Sequence, residues 1–128
     1  GMNDEDLFEL PGFVDEPEQY YRNADVFVLP SKWEGLPNVV LEALSYDLPV
    51  VATDCSGGTR EIFAEDPEGH LVTVGDAMEM AAKIVSFLQS PPQSKKMQSI
   101  LSGRYDVSTI ALSYCALADK GTLEGLDV

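Results

Sequence analysis

Short apolar runs that alternate with longer segments of helical periodicity are the feature that most constrains this chain. Residues 26–29 and 49–53 form continuous, β-prone runs, as expected for strands that are buried on both faces. Further strands are predicted at residues 7–13 and 70–74. This rhythm predicts an α/β fold with a parallel sheet of about four strands and helices on both faces.

Apolar residues recur at helical spacing between and after the predicted strands. The first predicted helix is capped by Asp15 and has Pro17 in its first turn, and the second begins at Pro37 and ends near Asp47. The other predictions are a short helix opened by a Gly57-Gly58 turn, a helix capped by Asp76 and stopped by Pro91-Pro92, and C-terminal helices within residues 93–120. We expect one domain, residues 1–128, with a strand–helix core at about 7–90.

The charge balance excludes one class of partner. The 128 residues carry 22 acidic against 8 basic side chains, a formal net charge of −14, so no nucleic-acid partner is expected. No apolar run approaches the roughly 20 residues that cross a bilayer, and membrane association is expected to be peripheral at most. Cys55 and Cys115 form neither a CxxC pair nor a disulfide framework, which favours a cytoplasmic location and no metal site.

Two glutamates, Glu34 and Glu42, stand on either side of the predicted start of the second helix. Helical side chains lean toward the N-terminus, so the Glu42 carboxylate is carried back toward the loop that holds Glu34. A helix N-terminus suits a phosphate, and a carboxylate beside it can accept both hydroxyls of a vicinal diol such as ribose. The spacing alone favours a helix start whose acids are stabilised by the dipole over a ligand site, and both interpretations stay open at this point.

The motifs, taken in order, resemble a known family. They are ADVFVLPS at 24–31, EGLPNVVLEAL at 34–44, PVVATD at 49–54, GGTREI at 57–62 and HLVTVGD at 70–76. Together they resemble the C-terminal, donor-binding domain of family-4 retaining glycosyltransferases of the GT-B fold, whose signature is E-x7-E. Within that family they are most similar to enzymes that build bacterial surface polysaccharide or lipid-linked glycans.

The resemblance implies a Rossmann-like domain and transfer of a sugar from a nucleotide diphosphate, with retention and with no metal or other cofactor. By position, Glu42 would hold the ribose hydroxyls, and Glu34, the implied catalytic residue, would contact the donor sugar. The backbone N–H groups of Leu36 and Asn38 would face the diphosphate, whereas Pro37 has no N–H to offer and stands where many relatives have Gly. The implied donor-binding set is Glu34, Gly35, Leu36, Asn38, Val39 and Glu42.

The family's N-terminal acceptor domain and the opening segment of its donor domain have no counterpart in these 128 residues. We therefore expect a truncated, partial donor domain that is inactive by itself. The strand at residues 26–29 would then expose an apolar edge, which favours a homodimer. The full-length enzyme is expected in the cytoplasm, at or near the inner face of the membrane.

Two alternatives remain beside this interpretation. A non-catalytic remnant could act as a binding or oligomerisation module, and turnover with a nucleotide sugar distinguishes it. A phosphoacceptor receiver domain needs paired acids after its first strand and a lysine after a late one, and Asp15-Glu16 match that pattern poorly.

Individual polar residues are assigned smaller roles. His70 is expected at the surface or at a strand end, and Arg60 and Glu61 are expected to pair or to cap the short helix after Gly58. Ser31 ends a strand at the same edge as Glu34 and is a weaker candidate for ligand contact.

Overall fold

A computed structural model describes residues 7–93 and 99–100 of the chain. Its sheet consists of three parallel strands in the order β1-β2-β3, namely β1 Phe27–Leu29, β2 Val50–Thr53 and β3 Leu71–Val72. Phe27 pairs with Val50 between the first two strands, and Thr53 pairs with Val72 between the last two. The predicted α/β fold with a parallel, Rossmann-like sheet is confirmed.

Five helices lie within the described residues: α1 Glu18–Asn23, α2 Asn38–Ser45, α3 Gly58–Ile62, α4 Pro67–His70 and α5 Ala77–Gln89. The Asp76 cap is confirmed, because its side chain accepts the Glu79 N–H at 2.9 Å. The Asp15 cap is wrong. Pro17 is the N-cap of α1, no side chain caps that helix, and the Pro17 carbonyl already accepts the Tyr20 N–H at 3.0 Å.

The core lies on both faces of the sheet, and β2 forms its centre. All four residues of β2 are buried. Val50 and Ala52 pack in one cluster with residues of α2 and with Phe63, whereas Val51 packs in another with Phe87 of α5. This division follows from the alternation of side chains along a strand and confirms helices on both faces.

The end of α2 is built by a residue in the left-handed conformation. Asp47 has φ of 57°, and its N–H donates to the Leu44 carbonyl at 3.0 Å, while the Leu48 N–H donates to the Ala43 carbonyl at 3.1 Å. These two bonds form a Schellman motif, in which an Asp takes the position that usually holds Gly. The chain is thereby turned directly into β2.

The strand predicted at residues 7–13 is wrong. This segment is not β structure, so the described sheet has three strands instead of about four. Leu10 is 95% exposed and Phe13 is 92% exposed. Pro11 lacks an N–H for a strand ladder and Gly12 has φ of +71°, which together interrupt an otherwise apolar, strand-like run.

Of the two placements predicted for His70, the strand end is confirmed and the surface is wrong, because its side chain is only 1% exposed. It ends α4 directly before β3, which is shorter than the predicted strand at residues 70–74. The ring stacks on Phe63 at 4.6 Å, meets Phe87 edge-on at 5.7 Å, and its Nδ1 lies 3.0 Å from the Val50 carbonyl. His70 is therefore a core residue that joins β2 to the helices around it.

Two further observations concern the limits of the described chain. Residues 99–100 are helical, and the helices predicted at 93–120 otherwise lie mostly outside the described residues. Within the described part, no helix has the length and apolar character that crossing a membrane requires.

Candidate functional site

The loop after β1 holds Glu34 in a partly buried position. The Ser31 hydroxyl donates a hydrogen bond of 2.5 Å to Glu34 Oε1. Charge-assisted O–H···O⁻ bonds are short and strong, so this contact orients the carboxylate. Ser31, a weak candidate for ligand contact from its sequence position, is in this structure the residue that holds Glu34.

The end of the neighbouring strand holds this loop in turn. Thr53, the last residue of β2, is buried, and its hydroxyl donates to the Ser31 carbonyl. The Leu29 carbonyl lies 3.4 Å from the same hydroxyl. A side chain at the carboxyl end of β2 therefore fixes the main chain that leaves the carboxyl end of β1.

The Gly57-Gly58 turn contacts the Glu34 loop through its main chain. The Gly58 N–H donates to the Gly35 carbonyl at 2.8 Å. A Cβ on Gly58 would lie 2.6 Å from that carbonyl oxygen and 2.8 Å from the Leu36 Cα, and one on Gly57 would collide with the Glu34 carbonyl oxygen. Only glycine permits this approach, so the loops after β1 and β2 form one closely packed junction.

Helix α2 starts directly after this junction. Pro37 is its N-cap and is buried, and no side chain caps the helix there. The first turn contains Asn38 and the half-exposed Val39. The predicted helix start is thus confirmed to within one residue, while contact of this terminus with a diphosphate stays a prediction.

Glu42 lies in the middle of α2 with an exposed side chain. Its Oε2 accepts a hydrogen bond of 2.9 Å from the hydroxyl of Tyr21, which belongs to α1. The two acids of the E-x7-E segment therefore have different supports. Glu34 is held by the loop and sheet, and Glu42 is held by a helix that precedes β1.

The Tyr21 ring has aromatic neighbours on two elements. It stacks on Tyr46 with a centroid distance of 5.5 Å and an angle of 8°, and it lies 6.0 Å from Phe27. Partial burial, followed by the bond to Glu42 and its negative charge, raises the pKa of Tyr21 to about 12. The hydroxyl therefore keeps its proton at neutral pH and donates a hydrogen bond to Glu42.

The remaining polar residues of this edge form local contacts. Arg60 forms an ion pair of 2.8 Å with Asp54, and within the described part of the chain no side chain caps the short helix α3, so the predicted cap is wrong. Among residues 7–93 and 99–100, no group of three or more His, Cys, Asp or Glu side chains could hold a metal ion.

Three contributors to the site were missed by sequence reasoning: Tyr21, Thr53 and the close approach of Gly57 to the Glu34 carbonyl. In the sequence, the GG pair predicts only a turn, and Thr53 only the end of a strand. A useful signal was present in Thr53, because a hydroxyl at the end of a buried run must find a hydrogen-bond acceptor. Nothing local in the sequence of Tyr21 points to Glu42.

Comparison with protein families identifies residues 2–90 as a match to the model of glycosyl transferases group 1. This match covers well over half of the 128 residues and includes the loop after β1, α2 and the glycine turn.

Curated relatives agree with the family match. An uncharacterized glycosyltransferase of Haemophilus influenzae is 31% identical over 94 residues, which cover 71% of this chain and 27% of the relative. A relative of Campylobacter jejuni is 34% identical over 88 residues, which cover 69% of this chain and 24% of the relative. It is the N-acetylgalactosamine-N,N'-diacetylbacillosaminyl-diphospho-undecaprenol 4-alpha-N-acetylgalactosaminyltransferase. An amylovoran biosynthesis glycosyltransferase of Erwinia amylovora is 33% identical over 113 residues, which cover 82% of this chain and 27% of the relative.

The chain thus spans about a quarter of the length of these three relatives. Its matched segment coincides with the parallel sheet and with the loops at the carboxyl ends of β1 and β2. The fold, the family match and the relatives all agree, and the chain belongs to the group 1 glycosyltransferase family.

Proposed function

We propose that this chain is the donor-binding part of a retaining, family-4 glycosyltransferase, taken from its C-terminal domain. The whole enzyme would move a sugar from a nucleotide diphosphate to a glycan or lipid-linked acceptor without a metal ion. The observation that carries the proposal is the main-chain junction between the Glu34 loop and the Gly57-Gly58 turn. It lies where the carboxyl ends of two neighbouring parallel strands meet, the edge at which open α/β sheets bind ligands.

The names of two relatives support a glycan or lipid-linked acceptor. The Campylobacter jejuni relative is named for a diphospho-undecaprenol substrate, and the Erwinia amylovora relative is named for amylovoran biosynthesis. The chain spans only about a quarter of each, so the choice of acceptor is proposed for the whole enzyme.

Six residues of the E-x7-E segment have a role in this proposal. Glu42 accepts the two ribose hydroxyls, and Glu34 contacts the hydroxyls of the donor sugar. The start of α2, with Asn38 and Val39, and the preceding Gly35 and Leu36 face the diphosphate. A helix N-terminus supplies N–H donors and a positive dipole end, which stabilise the charge that the leaving diphosphate gains.

Titration of the isotopically labelled chain with uridine, guanosine and adenosine diphosphates tests the proposal. We expect chemical-shift changes at residues 34–42 with at least one of the three nucleotides. Glu42→Ala should weaken that binding about tenfold to hundredfold, as the loss of charge-assisted bonds predicts. Glu65→Ala, which removes an exposed acid of the same charge, is the matched control. Equal affinities of Glu42→Ala and the parent chain, or no shift with any nucleotide, would refute the proposal.

The isolated chain should show no measurable glycosyl transfer and should bind nucleotide sugars no more tightly than about 1 mM. A protein of net charge −14 that meets a diphosphate mainly with a helix start lacks strong cationic partners for it. Added divalent metal should not restore activity. Robust turnover by the purified chain would contradict this expectation.

A second candidate function is an oligomerisation module, which one observation favours. In the described sheet, β1 has a single neighbouring strand, and Phe8, Leu10 and Phe13 are exposed nearby in the sequence. An unpaired strand edge is a template for a second chain. Light scattering over a concentration series should then show a dimer, and a monodisperse monomer at high concentration would exclude it.

A further inference from the structure

The Glu42 carboxylate accepts a hydrogen bond from a residue outside the E-x7-E segment. The Tyr21 hydroxyl lies 2.9 Å from Glu42 Oε2, although the two residues are 21 positions apart. We propose that Tyr21 is a positioning residue, whose hydroxyl fixes the Glu42 carboxylate in the orientation that accepts a vicinal diol of the nucleotide. This inference rests on the proposed function, in which the diol is the ribose.

The chemistry of a glutamate side chain explains why such a partner matters. The terminal torsion of a Glu is broad, so an exposed carboxylate turns freely unless something holds it. Glu42 is exposed and lies within a helix, which fixes its Cα but not its oxygens. A carboxylate has about four lone-pair positions, and the bond from Tyr21 occupies one of those on Oε2, so it is compatible with a ligand that binds the same carboxylate.

The position of the Tyr21 ring does not depend on this hydrogen bond. The ring stacks on Tyr46 with 5.5 Å between the ring centroids, and its centroid lies 6.0 Å from that of Phe27. The Arg22 guanidinium lies 5.3 Å from the centre of the Tyr46 ring. Tyr46 directly follows α2, one helical turn beyond Glu42. The stack therefore aligns Tyr21 along α2 and brings its hydroxyl to the carboxylate.

The Tyr21 hydroxyl remains a hydrogen-bond donor at neutral pH and well above it. Its pKa is raised to about 12 by burial and by the Glu42 carboxylate. The ionised Glu42 can only accept, so the direction of the hydrogen bond is unambiguous.

A comparison of ribose and 2′-deoxyribose nucleotides tests the inference. The full chain and three variants, Tyr21→Phe, Glu42→Gln and Tyr20→Phe, are titrated with uridine, guanosine and adenosine diphosphates and with their 2′-deoxy counterparts, followed by NMR. Tyr21→Phe keeps the aromatic ring and removes only the hydroxyl. Tyr20→Phe makes the same change at the adjacent, exposed residue and serves as the control.

We expect the parent chain to prefer ribose and Glu42→Gln to lose that preference. Tyr21→Phe should reduce the preference about threefold to tenfold, with little effect on the deoxy nucleotides, and Tyr20→Phe should leave it unchanged. Melting temperatures identify any variant that is merely less stable, because lost stability lowers both affinities together and leaves their ratio unchanged.

The outcomes separate the two ideas. If Glu42→Gln loses the ribose preference while Tyr21→Phe retains all of it, the positioning role is wrong and the function of Glu42 stands. Tighter binding by Tyr21→Phe would show that the hydroxyl competes with the ligand, which also overturns the inference. If Glu42→Gln retains the preference, or the parent chain has none, the ribose role of Glu42 fails and the inference fails with it.

Discussion

The two acids of the E-x7-E segment lie in surroundings of opposite kind. Glu34 belongs to the loop after β1, whose main chain packs against the Gly57-Gly58 turn. The approach is so close that neither glycine could carry a Cβ. Glu42 stands on an exposed helix face and is held by one side-chain hydroxyl from α1. The first arrangement depends on backbone geometry, and the second depends on a side chain that can be exchanged.

This difference has a consequence for how each region responds to mutation. A main-chain junction cannot repack around an added atom, so substitutions there act on the stability of the fold. A side-chain contact at the surface contributes little to stability, so substitutions there act on binding. The following predictions test that division.

The largest effect is expected for Gly57→Ala. Gly57 has φ of +113°, and an added Cβ would collide with the Glu34 carbonyl oxygen. Strain at positive φ and overpacking cost about 1–3 kcal/mol each, so the free energy of unfolding should fall by about 2–6 kcal/mol. Urea denaturation of the purified chain measures this loss.

Two other glycines separate the causes of that loss. Gly75→Ala introduces positive-φ strain alone, since φ is +81° and no atom lies within 4 Å of the new Cβ. Gly58→Ala introduces the close contact alone, at 2.6 Å from the Gly35 carbonyl. If Gly57→Ala lowers the free energy of unfolding no more than Gly75→Ala does, the collision is absent, and the close approach of the Gly57-Gly58 turn to the Glu34 loop is contradicted.

Thr53→Val should give the next largest effect. The substitution keeps the shape of the side chain but leaves the Ser31 carbonyl without the hydroxyl that bonds to it. Loss of a buried hydrogen bond costs about 1–3 kcal/mol, again measured by denaturation. Thr59→Val is the control, because its hydroxyl is also buried but, among the described residues, lies against a weak partner, the Cys55 sulfur, at 3.9 Å. An equal loss in both variants would count against a special role for Thr53.

The Tyr21–Glu42 contact should appear in a pH titration. Glu42→Gln removes a negative charge and should lower the pKa of Tyr21 from about 12, though not to its ordinary value of 10.0, because burial is the larger cause. The raised pKa favours the protonated folded state, so the stabilisation is complete below pH 10 and is lost as the pH rises from 10 to about 12. NMR of the tyrosine Cζ measures the shift, and an unchanged pKa in Glu42→Gln would rule out the contact.

The smallest effect is expected for Arg60→Ala. Its ion pair with Asp54 also links the end of β2 to α3, but the Arg60 side chain is 70% exposed. Exposed ion pairs contribute about 0–1 kcal/mol and weaken with salt. Denaturation at low and high salt checks this expectation. A loss as large as that of Thr53→Val would mean that side-chain charges, and not the main chain, hold the junction together.

Local sequence patterns were sufficient for several elements. The apolar runs predicted the positions of β1 and β2. Burial on both faces is confirmed for β2, whereas the three residues of β1 are only partly buried. The Asp76 cap and the glycine turn predicted the starts of α5 and α3. The order of the motifs indicated a glycosyltransferase of the GT-B fold, and the match to the group 1 glycosyltransferase family covers residues 2–90.

The errors have physical causes as well. Residues 7–13 have the composition of a strand, but a strand also needs a neighbour, and Pro11 and Gly12 oppose pairing. His70 is polar and begins an apolar run, which suggested exposure. In the fold it is buried because Val50, Phe63 and Phe87 provide a hydrogen bond and aromatic contacts from three other segments.

The amino-acid sequence by itself determined most of the strands and helices of the described chain and the two acids on either side of the start of α2, because those properties depend mainly on residues within one or two turns of each other. Only the tertiary structure decided what holds the acids. The Tyr21–Glu42 bond, the Thr53–Ser31 bond and the approach of Gly57 to Glu34 each join residues about 20 positions apart. The Thr53 and Gly57 contacts form only when β1 and β2 pair side by side and their loops emerge at a common edge, whereas the Tyr21–Glu42 bond joins α1 to α2.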